Sequence, residues 1–131
     1  LQRSDIVTLH VPLADDTFHM IGQKQLEMMK KEALLVNTAR GALVDTKALV
    51  DALKNKKIAG AALDVMEGEE GIFYYDCTHK ALEHPFLSIL QRMPNVIITP
   101  HIAYHTDRVL TDTVSNTIQN CLNFERSLGN V

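Results

Sequence analysis

What most constrains this chain is the recurrence of short apolar runs, rich in β-branched residues and separated by stretches of helical character. Ile6-Val7-Thr8-Leu9-His10-Val11, closed by Pro12, is the first run, and Ala33-Leu34-Leu35-Val36-Asn37 is the second. Ile58 to Leu63 is the third, and Val96-Ile97-Ile98-Thr99, bounded by Pro94 and Pro100, is the fourth. Such runs read as strands. The second is nearly continuous apolar sequence, the mark of a strand covered on both faces. Gly60 and the alanines of the third permit neighbouring backbone to approach closely.

Between the runs, Gln23 to Lys31 reads as a short helix with Leu26, Met28 and Met29 as its apolar residues. Asp45 is a good N-cap for a helix through Asn55, in which Leu49 and Leu53 are four apart and Lys54, Lys56 and Lys57 suit the negative C-terminal end. A short helix is expected between Pro85 and Arg92. Thr106 or Asp107 can start a last helix carrying Leu110, Val114, Ile118 and Leu122 at a spacing of four. Strands alternating with helices imply βαβ units and a parallel sheet, so the fold class is α/β.

Composition narrows the rest. With 131 residues, 46% of them hydrophobic, the chain is long enough for one buried core and is not of disordered composition. Thirteen Lys and Arg against sixteen Asp and Glu give a net charge of −3, which argues against nucleic acid as the partner. No apolar run approaches the ~18 residues of a membrane span. Cys77 and Cys121 are too few for a disulfide framework, so a cytoplasmic location is expected. A first residue Leu1 with no signal-peptide pattern and an end at Gly129-Asn130-Val131, directly after helical sequence, lead us to expect a piece of a longer protein, about half of a doubly wound sheet.

In open parallel sheets, ligands bind beyond the carboxyl ends of the strands. The four runs end in His10-Val11-Pro12, in Asn37-Thr38-Ala39-Arg40-Gly41, in Asp64 leading to Glu67-Gly68-Glu69-Glu70, and in Thr99-Pro100-His101. The Arg40 guanidinium is a planar fork that matches a carboxylate bidentately. His101 can exchange a proton near neutral pH. A carboxylate from Glu67, Glu69 or Glu70 beside that imidazole would favour its charged form and hold one tautomer. Together, an arginine and a histidine–acid pair can grip a carboxylic acid and move a proton at the oxygen of the neighbouring carbon. Cys77, His79 and His84, or His101 with His105, lack a full ligand set of standard spacing, so no metal is expected. The sequence contains no G-x-S-x-G, H-E-x-x-H, P-loop or G-x-G-x-x-G.

His10-Val11-Pro12-Leu13, Asn37 to Asp45, Ala62-Leu63-Asp64-Val65 with Glu67-Gly68-Glu69, and Pro94 to His101 resemble the motifs of the D-isomer-specific 2-hydroxyacid dehydrogenases. Phe73-Tyr74-Tyr75-Asp76-Cys77, and Tyr104 after the histidine, are most similar to the D-lactate dehydrogenase branch, including the type associated with glycopeptide resistance. The resemblance covers essentially the whole chain. It implies the second half of a Rossmann-like sheet over residues 1–105, and over 106–131 a terminal helix that belongs to the substrate domain. It implies that Arg40 binds the substrate carboxylate, that His101 is the acid/base and Glu69 its partner, and that Tyr104 shapes the substrate pocket. Val11, Pro12, Thr17, Thr38, Ala39, Arg40 and Asp64 match positions that contact NAD. By the same resemblance, most of the substrate domain, the glycine-rich pyrophosphate loop and the acid that reads the ribose precede Leu1.

The expectation is therefore a parent enzyme that reduces 2-oxo acids such as pyruvate to D-2-hydroxy acids such as D-lactate with NADH. It works as a homodimer on a small-molecule partner, and these residues are inactive alone. The alternative is an NAD-sensing binding or scaffold module of the same fold.

Overall fold

The computed structural model describes residues 1–76 and 84–128. The chain divides into two compact units, Leu1–His101 and Ile102–Val131. The first unit contains the whole sheet. Its strands are β1 (Ile6–Leu9), β2 (Leu34–Asn37), β3 (Gly60–Leu63) and β4 (Val96–Ile98). All neighbouring pairs are parallel, and the spatial order β1-β2-β3-β4 is the sequence order. The α/β parallel reading thus holds, with each strand shorter than its apolar run.

The connecting helices are α1 (Gln23–Glu27), α2 (Thr46–Lys54) and α3 (Leu87–Gln91). Strands joined in sequential order by crossovers of one hand carry all their helices on one face. The burial pattern agrees. Leu35 and Asn37 on β2 and Ala61 and Leu63 on β3 are buried, and they form one core with Leu26, Leu49, Leu53, Leu87 and Leu90 from the helices. Complete burial of a leucine such as Leu35 contributes about 2–3 kcal/mol.

Within the first unit no described residue covers the opposite face, so the cover expected for the second run is not supplied by this unit. Leu34 stays 42% exposed, and in its row and the next, Ile6 and Ile97 are 60% and 67% exposed. A continuous apolar run shows that both faces suit an apolar environment; it does not supply the cover for the second one.

Local chemistry sets the helix ends. The Asp45 carboxylate accepts a hydrogen bond from the Ala48 amide at 2.9 Å, so it caps α2 as its position suggests. The first helix stops at Glu27, short of Lys31, with the chain turning through Met28 and Met29 towards β2. Gly60 lies where a Cβ would meet the Asn95 carbonyl oxygen at 2.5 Å, so the close backbone approach expected at the third strand is real.

The second unit holds α4 (Asp107–Leu128), whose N-terminal turn is closed by the Thr106 hydroxyl accepting from the Val109 amide. None of its residues is buried, including Leu110, Val114, Ile118 and Leu122. Among the described residues, no helix is long and apolar enough to cross a membrane.

Candidate active site

Parallel strands present all their carboxyl ends at one edge of the sheet, and the loops leaving that edge carry the residues singled out above. After β3, Asp64 is 4% exposed and accepts a hydrogen bond from the Thr99 hydroxyl after β4 at 2.5 Å. Its carbonyl accepts the His101 amide at 2.7 Å. These bonds lace the end of β3 to the end of β4.

His101 adopts φ +55°. A non-glycine residue in this left-handed region carries strain of roughly 1–2 kcal/mol, which persists where the surroundings over-determine it. Here they do. The His101 amide also reaches the Thr99 carbonyl, and its own carbonyl accepts the Tyr74 hydroxyl. The result is an imidazole whose Nδ1 lies 2.6 Å from Glu69 Oε1, with the two side chains only 27% and 17% exposed. The other carboxylate oxygen, Oε2, accepts the Met66 amide at 2.5 Å, which fixes the acid from behind.

Of the three candidate acids, the fold therefore brings Glu69 to His101. Glu67 goes elsewhere, to His19 at 2.8 Å, and Glu70 is exposed. Gly68 at φ +76° turns the chain between the first two, so near neighbours in sequence meet different histidines.

Arg40 follows β2 on the same edge. Its guanidinium donates to the Ala39 carbonyl at 2.6 Å. The loop that presents it is shaped by Asn37, a buried residue whose type alone assigns it no role. The Asn37 side chain accepts from the Ala39 amide and donates to the Arg40 carbonyl. The next residue, Gly41, packs directly on the backbone of the acid loop: a Cβ there would lie 2.0 Å from the Met66 carbonyl carbon and 2.3 Å from the Glu67 nitrogen. That contact couples the arginine loop to the loop of Glu69, and only the bare glycine signalled it in the sequence.

An open groove of about 780 Å³ is lined by His10, Val11, Pro12, Leu13, Thr38, Ala39 and Arg40, at the ends of β1 and β2. Thr17 closes the adjoining loop, its hydroxyl donating to the Pro12 carbonyl and accepting from the Ala14 amide. Tyr104 lies in the second unit and is 53% exposed, with its ring 6.2 Å from that of His105. Cys77 and His79 lie outside the described residues. His84 hydrogen-bonds to backbone through both ring nitrogens.

The residues fit a nicotinamide dinucleotide at one end. Val11 and Leu13 are exposed apolar side chains on a groove at strand ends, suited to a flat ring. Most positions matched to NAD contacts, Val11, Pro12, Thr38, Ala39 and Arg40, line that one groove.

The family model described as D-isomer specific 2-hydroxyacid dehydrogenase, NAD binding domain, matches residues 1–103. The chain is 66% identical over 128 residues to a D-specific alpha-keto acid dehydrogenase of Enterococcus faecalis, covering 98% of this chain and 40% of that protein. It is 38% identical over 130 residues to a D-lactate dehydrogenase of Staphylococcus epidermidis, covering 99% of this chain and 38% of that one. Among solved structures, the NAD-complexed D-isomer specific 2-hydroxyacid dehydrogenase of Lactobacillus delbrueckii ssp. bulgaricus superposes with a TM-score of 0.92 at 42% identity, over 97% of this chain and 38% of that one. The chain thus spans about two fifths of the length of the curated relatives it matches.

Proposed function

Because this chain belongs to the D-isomer specific 2-hydroxyacid dehydrogenase family, through its NAD-binding domain, we propose that the whole protein reduces small 2-oxo acids to D-2-hydroxy acids. The observation that carries this reading is the Glu69–His101 pair, held at the carboxyl ends of β3 and β4 beside the loop of Arg40. NADH, when bound, would supply the hydride for the carbonyl carbon and leave as NAD. Val11, Pro12, Thr17, Thr38, Ala39, Arg40 and Asp64 would hold it, the first two as an apolar wall.

The chain's own groups do the rest. With Nδ1 directed at Glu69, the proton available to a substrate oxygen is on His101 Nε2. Reduction needs that proton, because the carbonyl oxygen gains negative charge as the carbon is reduced. A carboxylate 2.6 Å away fixes the orientation of the ring and leaves Nε2 facing the substrate side. Arg40 receives the substrate carboxylate, exchanging its bond to the Ala39 carbonyl for a charged fork, and so orients the 2-oxo carbon towards the histidine. Tyr104 borders the substrate. The protein acts in the cytoplasm as a homodimer.

Steady-state assay of the full-length protein with NADH and pyruvate tests the proposal. Turnover that yields the D-isomer is the expected result. NADH binding without turnover of any 2-oxo acid would overturn it in favour of an NAD-sensing module.

A further inference from the structure

We infer that His84 is a positioning residue for the Glu69–His101 pair, acting through the backbone of Glu67. The inference rests on the reading of that pair as the proton-transfer machinery. His84 is 9% exposed and belongs to neither strand nor helix. Its Nδ1 faces two backbone amides, those of Phe86 at 3.2 Å and Leu87 at 3.0 Å, at the start of α3. An amide nitrogen only donates, so Nδ1 is the acceptor and the ring proton is on Nε2. That nitrogen lies 2.8 Å from the Glu67 carbonyl oxygen, to which it therefore donates.

The imidazole is thus a rigid strut with two dissimilar ends. One end is fixed to α3, which is anchored in the core by Leu87 at 3% and Leu90 at 0% exposure. The other end holds the acid loop at the residue before Gly68. Gly68, at φ +76°, packs against the same ring, with its missing Cβ 3.5 Å from His84 Nε2. One residue further on, Glu69 closes a tight turn onto Met66 through its amide and through its carboxylate. The loop has no regular secondary structure of its own. Its backbone takes its position from outside, from Gly41 on one side and His84 on the other. Without the tie to the Glu67 carbonyl, the turn that aims Glu69 at His101 keeps its internal bonds to Met66 but loses its link to α3, and its aim shifts.

Two substitutions separate this role from simple support of α3. His84→Asn places its Oδ1 at the bond distance of Nδ1, so it keeps the acceptor for Phe86 and Leu87 and loses the tie to Glu67. His84→Gln does the reverse, since its Nε2 has the reach of the ring Nε2 and can donate to the Glu67 carbonyl. The intact protein, labelled with ¹⁵N-histidine, is observed by NMR for the proton on His101 Nδ1 that bonds to the Glu69 carboxylate, alongside kinetics with pyruvate.

In His84→Asn the His101 Nδ1 proton signal is lost, and kcat/KM falls about ten- to a hundredfold, the scale of a misplaced catalytic group. The Kd for NADH stays the same, and His84→Gln retains both signal and rate. A folded His84→Asn protein that keeps the His101 signal overturns the inference. So does equal loss in the two variants, or the failure of both to fold, either of which makes His84 only a prop of α3. Absence of turnover in a wild-type protein that shows the signal defeats the proposed function instead, and the NMR comparison still decides the role of His84.

Discussion

Glu69 Oε1 and His101 Nδ1 lie 2.6 Å apart, although thirty-two positions separate the two residues in the chain. The contact spans the loops after β3 and β4. It is held by groups that do no chemistry themselves: the Met66 amide behind the acid, and the Asp64 and Thr99 carbonyls on the histidine amide. The surroundings thus hold the histidine in a strained backbone conformation in which its ring nitrogen meets the carboxylate.

Glu69→Gln keeps the shape of that contact and removes its charge. In the full-length protein, kcat/KM for pyruvate reduction should fall on the order of a hundredfold, the low end of general-acid contributions. NADH affinity, followed by fluorescence titration, should stay unchanged. Wild-type kcat/KM in this variant would exclude Glu69 as the partner of His101.

Arg40→Lys tests the fork. Lysine keeps the charge but offers a point donor in place of two parallel bonds, and losing a charged hydrogen bond costs roughly 1.5–3 kcal/mol. The expected outcome is a rise in KM for pyruvate of at least about tenfold, with the rate loss exceeding any change in NADH binding. If kcat/KM did not move, Arg40 would be removed from the substrate site.

Gly41→Ala and Gly71→Ala form a contrasting pair. At Gly41 a Cβ would collide with backbone, 2.0 Å from the Met66 carbonyl carbon, so the arginine and acid loops must part. We expect a loss of about 3 kcal/mol, in the upper range for overpacking, together with loss of activity. At Gly71 nothing among the described residues lies within 4 Å, and φ +78° is what resists a side chain, which costs about 1–2 kcal/mol and leaves activity intact. Urea unfolding midpoints for the two variants decide the matter. Equal midpoints would show that the contact at Gly41 gives way freely.

Residues 1–131 expressed alone should bind NADH weakly and turn over no pyruvate. They contain no glycine-rich turn of the kind that, with a helix N-terminus, cradles a pyrophosphate. Calorimetric titration with NADH and a parallel pyruvate assay check this. Micromolar binding with turnover would show that the groove at β1 and β2 is sufficient.

The architecture was legible in the sequence because it rests on local chemistry and periodicity. Four apolar runs separated by helical stretches require a parallel sheet, and a parallel sheet puts Arg40, Glu69 and His101 at one edge whatever the details of packing. Asp45 as a cap was equally readable, since a helix start depends on a few adjacent residues. Other features depend on residues far apart in the chain. The pattern of the second run could not reveal that this unit leaves Ile6, Leu34 and Ile97 exposed, because apolar residues state a preference for cover without supplying it. From their types alone, Glu67, Glu69 and Glu70 were equal candidates for His101, and only the family resemblance singled out Glu69. The tertiary structure decided among them through a left-handed Gly68 and the struts that hold the loop, which send Glu67 to His19 and Glu69 to His101. Residue types determined which chemistry was available; the torsions of one loop, set by contacts with distant parts of the chain, decided which carboxylate could take part.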